Sequence, residues 1–461
     1  MLGIASPMTG SLLAGRRETA LTLWALGALL TIAVATGGSS HPVDAGPPLA
    51  PLLALPLIGW AVHRLLGEPQ LAVSTRVWIA LALLLIALPL LQWLSLPGHP
   101  AGAVAGRAAL EADLERMGVA ASIRRISLSP WNTLAAACAL LPALAIFLLC
   151  LAAPQGLHRR LPWLLIALAL LSLLLGIVQL GLPADHALNP FPQWRPALGG
   201  FFANPNHQAT LLVIGATLAA GRLAAALDPQ AASGHRRSAR AYVPALALLL
   251  TACAVPLTGS RAGVILLMLS LGATAVCLWP AGRGRRASAT AAGIGAIVLI
   301  GGLVALRWMG LDAIGDLRGP LRAATLEVAA RFAPTGSGIG SFVRVFEQEA
   351  PRELLMRDYV NHAHNEYLQW WLEAGVPALV AMALAAVALA LTARGLALRR
   401  AAQRADGVAA LIALLAILAH STVDYPLRTP ALLAVAAALA GMAAAEAAGG
   451  SGRSQRRAIP A

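Results

Sequence analysis

The chain contains no lysine, and only 12% of its 461 residues are charged, whereas 58% are hydrophobic. A water-soluble protein cannot have so little charge, because charged side chains make up roughly a quarter of an ordinary globular sequence. The mean hydropathy of +0.73 is that of a membrane protein. The shortage of charge therefore excludes the two or three soluble domains that the length alone would suggest.

Cysteine is also scarce, and the four cysteines each lie within an apolar run: Cys138, Cys150, Cys253 and Cys277. No two of them have the spacing of metal ligands, so we expect small core residues that form neither a disulfide nor a metal site. Clustered carboxylates with ligand spacing are missing too, which leaves His362 and His364 as the nearest candidate metal pair. We therefore expect no metal and no other cofactor.

Long apolar runs are abundant, and residues 76–96 form a clear example. A hydrocarbon core of about 30 Å needs roughly 20 helical residues. Strands of a membrane barrel would be shorter and would alternate in polarity. The sequence therefore predicts an all-α polytopic membrane protein with about twelve transmembrane helices. We place them near residues 19–37, 48–66, 76–96, 131–153, 162–181, 207–227, 241–257, 262–280, 289–307, 371–393, 406–425 and 429–448.

The net charge of +14 comes entirely from arginine. In a soluble protein such a charge would suggest a nucleic-acid partner, but here the arginines concentrate in alternate short loops such as 281–288. The positive-inside rule then places both termini in the cytoplasm, and no nucleic-acid partner is expected. The first apolar run is as long as a spanning helix, so we do not expect a cleavable signal peptide.

The topology divides the chain into a cytoplasmic N-terminus (1–18), a transmembrane domain (19–448) and a disordered cytoplasmic tail (449–461). Two connections on the predicted outer side are long. Within 97–130, apolar residues recur at helical spacing, which predicts a short helix on the outer interface. The loop 308–370 is long enough to indicate a function. No internal repeat or pair of broken helices, typical of many transporters, is present.

Four polar clusters fall on the predicted outer side. They are residues 195–207, TGSRAG at 258–263, the paired segments 337–342 and 361–375, and HSTVDYPLRTPA at 420–431. An arginine on a short connection is held in place, and its planar guanidinium can bind two oxygens of a phosphate or diphosphate. A nearby histidine can serve as base or hydrogen-bond partner for an attacking hydroxyl. Together the clusters predict a reaction at the membrane surface whose leaving group is a diphosphate.

Each cluster also has a plain structural interpretation. Arg261 at a helix end could be an interfacial anchor, and Asn206 could be a helix N-cap within a turn. His364 could be a solvated loop histidine, and SGIGSF an ordinary flexible turn. The grouping of all four clusters on one side favours a functional interpretation over these separate ones.

The motifs resemble those of the O-antigen ligase and O-antigen polymerase superfamily of bacterial envelope glycosyltransferases, over residues 160–431. The segment that begins at Arg195 is similar to the family's Arg-x-x-Gly segment before an Asn-x-Asn helix start. TGSRAG resembles its Ser-Arg-Gly element, with Ala262 where glycine is common. The segment 420–431 resembles the late His-Ser-x-x-Asp segment of many members.

The remaining motif resembles the family signature of His, then Asn, Ser or Gln, then nine positions and Gly. Here it reads His364-Asn365 followed by Gly375. The signature usually continues with a second glycine three residues on, where this chain has Ala378. That departure bears on local helix packing and leaves the histidine in place.

This resemblance implies a C-type glycosyltransferase fold in the bacterial inner membrane. The donor would be an undecaprenyl-diphosphate-linked glycan, used on the periplasmic side without nucleotide, metal or other cofactor, in lipopolysaccharide or exopolysaccharide biosynthesis. The acceptor is a lipid A-core sugar in ligases and another lipid-linked repeat unit in polymerases, and relatives glycosylate protein hydroxyls. Membrane lipid is the other expected partner.

The resemblance also implies roles for particular residues. The catalytic residues would be Arg261, Arg195 and His364, with the two arginines binding the departing diphosphate. His364 would contact either the acceptor hydroxyl or the donor phosphate, and both roles stay open. The candidates for substrate binding are Asn204, Asn206, His207, Asn365, His362 and Glu366.

The main alternative is a polytopic transporter or flippase of lipid-linked glycans. Such a protein would carry charged residues at mid-helix depth along its path, whereas the one arginine predicted within a helix, Arg222, lies toward the inner end. An aquaporin-like channel would need a second Asn-Pro-Asn motif. The sequence therefore favours the glycosyltransferase.

Overall fold

The computed structural model describes residues 7–40, 49–67, 70–94, 107–118, 125–153, 158–191, 198–227, 235–278, 318–354, 360–399 and 401–449. Over these ranges the chain forms fifteen α-helices and no β-strand. The helices are α1 (Pro7–Thr36), α2 (Leu49–Leu66), α3 (Val73–Trp93), α4 (Ala108–Arg116), α5 (Pro130–Ala152), α6 (Leu161–Leu180), α7 (Pro205–Leu227), α8 (His235–Leu257), α9 (Arg261–Leu278), α10 (Arg318–Arg331), α11 (Phe342–Glu349), α12 (Glu366–Ala374), α13 (Val376–Ala397), α14 (Ala401–His420) and α15 (Pro430–Ala448). Two short 3-10 helices cover Arg352–Leu354 and Pro426–Arg428.

The predicted all-helical membrane architecture is confirmed. Among the described residues, nine helices are long and apolar enough to cross a membrane: α2, α3, α5, α6, α7, α8, α9, α13 and α15. Helices α1, which is apolar over Ala20–Thr36, and α14 occupy two further predicted spans. The predicted span 289–307 lies outside the described residues.

Two predicted helix boundaries beside the polar clusters are wrong by several residues. Helix α14 ends at His420 and not near residue 425, and Pro426 keeps residue 425 itself out of helical backbone. Helix α13 begins at Val376 and not near residue 371. Gly375, with φ of +59°, separates it from the short helix α12, a backbone angle that only glycine adopts without strain.

Helices α7 and α15 form the centre of the bundle. In their spanning windows 61% and 67% of the residues are buried, against 11% in α2. Both helices are rich in small residues, which let helix backbones approach closely. At Gly441 of α15, an added Cβ would stand 2.5 Å from the Cβ of Cys150 in α5. The close packing of α15 against α5 therefore depends on that glycine.

The cysteines are free, as expected, but three of them are not core residues. Cys150 is buried, whereas Cys138, Cys253 and Cys277 lie on exposed helix surfaces. An apolar run in a membrane protein has one face toward lipid and another toward its neighbours, so apolarity alone does not decide which residues are buried.

The predicted long connections contain helices of their own. Helix α4 is the short helix expected within 97–130. Where the loop 308–370 is described, α10 and α11 pack together with α12 around an apolar cluster, and Phe342 and Phe346 stack with ring centroids 5.1 Å apart. This loop therefore forms a small helical layer that covers one end of the bundle.

Hydrogen bonds bring several helix ends together at that end, which we call the site end. Gln92 at the end of α3 donates to the backbone carbonyl of Glu373 in α12 (2.9 Å). The backbone N–H of Ala431 in α15 donates to Gly37, and that of Ala203, just before α7, donates to Gly38. The ends of α1 and α3 and the starts of α7 and α15 thus meet in one place.

Candidate functional site

The described parts of all four predicted clusters lie at the site end. The clusters before α7 and after α14 are joined by Asn206, whose amide donates to Asp424 (2.8 Å). His364, from the third cluster, faces the same carboxylate. Gly263 of TGSRAG packs against Ala209 in the first turns of α7, two residues from His207. Arg195, in the first cluster, lies outside the described residues.

Asp424 is the centre of this arrangement and is fully buried. Its Oδ2 accepts hydrogen bonds from the amides of Asn206 (2.8 Å) and Asn204 (3.5 Å). Its Oδ1 lies 3.5 Å from Nδ1 of His364 and 3.8 Å from Nε2 of His207. Burial alone raises the pKa of this carboxyl, but the surrounding imidazoles of His364, His207 and His420 hold the pKa well below its ordinary value. Asp424 is therefore an anion at neutral pH.

Tyr425, the next residue, has three imidazole rings around its own ring. The ring centroid of His362 is 4.2 Å away, that of His364 is 5.0 Å away and that of His207 is 5.1 Å away. Burial raises the pKa of the Tyr425 phenol to about 12, so the ring stays neutral. Asp424 and Tyr425 together therefore fix the surroundings of three histidines.

His364 is the exposed member of this group. Its side chain is 28% exposed, whereas that of His207 is 1% exposed. Its backbone φ is +49°, which is uncommon for a residue with a Cβ and marks a local strain. Nδ1 is the ring nitrogen that faces Asp424, which leaves Nε2 as the other ring nitrogen. His364 is thus a partly exposed imidazole beside a buried carboxylate.

Asn365 holds this histidine at the entrance to α12. Its side-chain oxygen caps the helix by accepting from the N–H of Leu368 (3.1 Å), and its amide donates to the carbonyl of Thr422 (3.1 Å). The contacts of Asn365 in this structure are therefore with the protein's own backbone.

The Asn-Pro-Asn turn differs from the structural interpretation drawn from sequence, because the cap of α7 is Asn204 and not Asn206. The side-chain oxygen of Asn204 accepts from the N–H of Asn206 (2.9 Å). Pro205 is the first helical residue, where a missing N–H costs nothing. The side chain of Asn206 is thereby left to bind Asp424.

The other two candidates from the segment 361–375, His362 and Glu366, are buried. His362 faces Gln369 through Nδ1, at 3.1 Å from the amide nitrogen. Burial lowers its pKa well below the ordinary value, and the nearby Arg428 charge lowers it further. Oε1 of Glu366 accepts from the N–H of Leu427 (2.6 Å) and from the hydroxyl of Ser421 (3.3 Å). Burial raises the Glu366 pKa to about 7, although Arg428 and these hydrogen bonds oppose the shift.

Tyr425, Glu373 and Arg428 are site-end residues that were not predicted individually, and Asp424 was noted only as the acid of the His-Ser-x-x-Asp segment. Arg428 pairs with Glu373 at 2.7 Å, and Glu373 is 1% exposed. The segment 420–431 stood out in the sequence as a polar cluster, but nothing in a single sequence indicates which of its side chains turn inward.

The glycine-rich segment 337–341 connects α3 and α12 through backbone hydrogen bonds. Its N–H groups are used within the protein, since Ser337 donates to Leu372, Gly338 donates to Glu373, and Ile339 donates to the side chain of Gln92, each at 2.9 Å. These groups are not free to bind a phosphate. The segment instead joins α3 to α12, next to the Glu373–Arg428 pair.

Arg261 is exposed at the first position of α9. The hydroxyl of Ser260 caps this helix by accepting from the N–H of Gly263 (3.1 Å), and Gly259 turns the chain with φ of +76°. The connection from α8 is thus short and tightly held, as the sequence predicts. The positive charge of a guanidinium and the positive end of the helix dipole both attract an anion at this position.

Charged side chains within the described spanning helices lie near the helix ends. Arg222 of α7 pairs with Asp406 of α14 at 2.9 Å and lies over the ring of Trp163, toward the end opposite the site. This position does not resemble a translocation path at mid-depth. Nor do the described residues contain a group of three His, Cys, Asp or Glu side chains suited to hold a metal ion.

The fold and site together define a multi-pass membrane protein with an oriented histidine and an arginine at one end of its helix bundle. Residues 246–383 match the family model of O-Antigen ligase. The match contains Arg261, the glycine-rich segment and His364, and it confirms the resemblance to the O-antigen ligase and polymerase superfamily. Over these residues the chain is thus similar to O-antigen ligases, and the spanning helices show that it is a multi-pass membrane protein. No curated protein matches the chain.

Proposed function

We propose that the protein transfers a glycan from an undecaprenyl-diphosphate carrier to a sugar hydroxyl, at the outer face of the inner membrane. The observation that carries this proposal is the pair formed by His364 and Asp424. A partly exposed imidazole whose Nδ1 faces a buried carboxylate is an arrangement suited to general-base catalysis.

In the proposed reaction, Nε2 of His364 accepts the proton of the acceptor hydroxyl. The hydroxyl oxygen bonds to the anomeric carbon of the donor glycan, and the bond from that carbon to the phosphate oxygen breaks. The lipid diphosphate leaves with the bonding electron pair and receives the proton when His364 returns to its neutral form. Asp424 stabilises the imidazolium that exists between these events, as the carboxylate does in other acid–histidine pairs.

Arg261 is proposed to bind the diphosphate. It is exposed on a connection whose backbone is fixed by the cap of α9, so its guanidinium can be aimed without a large loss of backbone freedom. A guanidinium can contact two phosphate oxygens at once. Arg195 is assigned the same task on the resemblance of its motif.

The remaining candidates are better suited to hold the base than to touch the substrate. Asn204, Asn206 and His207 all face Asp424. Asn365 caps α12, His362 is buried against Gln369, and Glu366 accepts from the turn that contains Asp424. We therefore assign these six residues to the support of His364 and Asp424.

Both acceptor classes fit this mechanism, because a lipid A-core sugar and a lipid-linked repeat unit each present a hydroxyl. The proposal places both termini in the cytoplasm and the site end in the periplasm. That orientation follows from the arginine distribution, and it is the side on which a lipid-linked glycan donor would be presented.

The test is transfer by purified protein in proteoliposomes that contain a lipid-linked glycan. One set of vesicles receives lipid A-core as acceptor, and a second set receives the donor alone, so that polymerisation can occur. We expect a larger glycan product in one set and none with His364→Gln. Movement of the donor across the bilayer without any transfer in either set would support the transporter and overturn the proposal.

A further inference from the structure

The proposed mechanism assigns no role to Tyr425. Its ring is 5% exposed, in the turn between α14 and α15. The rings of His207, His362 and His364 approach it at centroid distances of 5.1, 4.2 and 5.0 Å. His207 comes from the start of α7 and the other two from the segment before α12. One aromatic ring therefore lies where the proposed catalytic histidine and two buried histidines converge.

His364 needs such a support more than its neighbours do. Its positive φ is an unfavourable conformation for a residue with a Cβ, and its side chain is 28% exposed. An exposed imidazole without packing would sample several rotamers. The 3.5 Å separation from Asp424 Oδ1 is longer than a strong hydrogen bond, so this contact is too weak to fix the ring plane alone.

The contact with Tyr425 adds a second constraint on the ring plane of His364. The two rings meet edge to face at an interplanar angle of 67°, a favourable arrangement for aromatic pairs. The backbone N–H of Tyr425 also donates to Oδ1 of Asp424 (2.9 Å), the same oxygen that faces His364. The hydroxyl, in contrast, contacts the side chains of Asn361 (3.5 Å) and Asn204 and not that of His364. The ring, and not the hydroxyl, is thus the part that acts on His364.

We propose that Tyr425 is a positioning residue for His364, whose ring holds the imidazole so that Nδ1 stays on Asp424 while Nε2 faces the acceptor. The inference rests on the proposed function for its kinetic consequence. Its structural content, that the Tyr425 ring immobilises His364, can be tested separately.

The kinetic experiment compares Tyr425→Phe with Tyr425→Leu and Tyr425→Met in the proteoliposome assay. Phenylalanine keeps the ring and should keep turnover near that of the wild type. Leucine and methionine keep apolar bulk without a ring, and each should lower kcat by about 10²-fold, the cost of a small misplacement of a catalytic group. KM for the donor should stay unchanged, because Tyr425 is buried. Near-normal turnover in either non-aromatic variant would overturn the inference.

A second measurement does not depend on transfer. Diethyl pyrocarbonate modifies accessible imidazoles, and mass spectrometry can follow His364 separately from the exposed His186. We expect His364 to react several-fold faster in Tyr425→Leu and Tyr425→Met than in Tyr425→Phe, while His186 reacts equally in all. Equal rates at His364 would refute the positioning role even if the wild type transfers no glycan. Absence of transfer by the wild type, with the expected difference in His364 reactivity, would count against the proposed function alone.

Discussion

The amide of Asn206 lies 2.8 Å from Oδ2 of Asp424 and thereby joins the first turn of α7 to the turn that follows α14. Both residues come from polar segments, and both turn away from water to meet each other. A buried carboxylate is stable only when hydrogen-bond donors surround it. Asn206, Asn204 and the Tyr425 N–H are such donors. The carboxylate that faces His364 is therefore fixed before any substrate arrives.

Arg261→Lys should lower transfer by roughly 10²–10³-fold, the scale of losing one preorganised charge-stabilising group. An ammonium keeps the charge but cannot contact two phosphate oxygens in one plane. The measurement is glycan transfer in a deletion strain complemented with each variant, at protein levels matched by blot. Arg116→Lys, on the exposed helix α4, is the control and should have no effect. Full complementation by Arg261→Lys would mean that Arg261 is only an interfacial anchor.

Asp424→Asn should lower kcat by about 10²-fold or more, because the imidazolium of His364 loses its counter-charge while the shape of the site is kept. His364→Gln should lower it at least as much. If the two residues act as a unit, the double variant should be no worse than His364→Gln alone. Steady-state kinetics of the three variants test this expectation. If the kcat loss of the double variant equals the product of the two single losses, Asp424 acts independently of His364.

Glu366→Gln should flatten the dependence of stability on pH. Since burial raises the Glu366 pKa to about 7, the folded protein keeps a proton that the unfolded chain loses at its lower, ordinary pKa. The contribution of Glu366 to stability is therefore complete at acid pH and is lost as pH rises toward 7. Glutamine can keep both hydrogen bonds that Oε1 accepts.

Thermal unfolding of the two proteins between pH 5 and pH 8, followed by tryptophan fluorescence, checks this expectation. The melting temperature of the wild type should fall relative to that of Glu366→Gln as pH rises. A constant difference across the range would show that Glu366 does not titrate there.

Transfer activity should survive exhaustive chelation. The proposed base is an imidazole and the proposed diphosphate ligands are guanidinium groups, so no step of the mechanism uses a metal ion. Reconstituted protein assayed with and without EDTA gives the answer. Loss of activity that Mg²⁺ or Mn²⁺ restores would contradict this mechanism.

Reporter fusions should place position 402 in the cytoplasm and positions 115 and 345 outside. The expectation follows from the concentration of arginine in alternate short loops. Position 345 is in α11, which packs at the site end with α12. A cytoplasmic signal at 345 would put the site on the wrong side for a periplasmic lipid-linked donor.

The class of this protein could be derived from its sequence alone. Apolar runs of about 20 residues leave a helix as the only way to satisfy the backbone in lipid, so helix number and approximate position could be predicted. The helix ends at Gly375 and His420 could not, because a polar or glycine-containing segment near the membrane surface is compatible with more than one boundary. The short motifs around Arg261 and His364 were also sufficient to predict the similarity to O-antigen ligases that residues 246–383 show.

Which polar side chains form the site depends on the packing of helices that are far apart in sequence. Asn204, Asn206 and His207 stood out in the sequence as substrate ligands, but the fold turns them toward Asp424, an acid to which the sequence motif gave no role. Tyr425 likewise became visible only when three histidines from two segments closed around it. The physical reason is that motif spacing reports which residues are near each other along the chain. The direction of a side chain is set by the packing of α7, α12 and α14 against one another, which involves residues far apart in sequence.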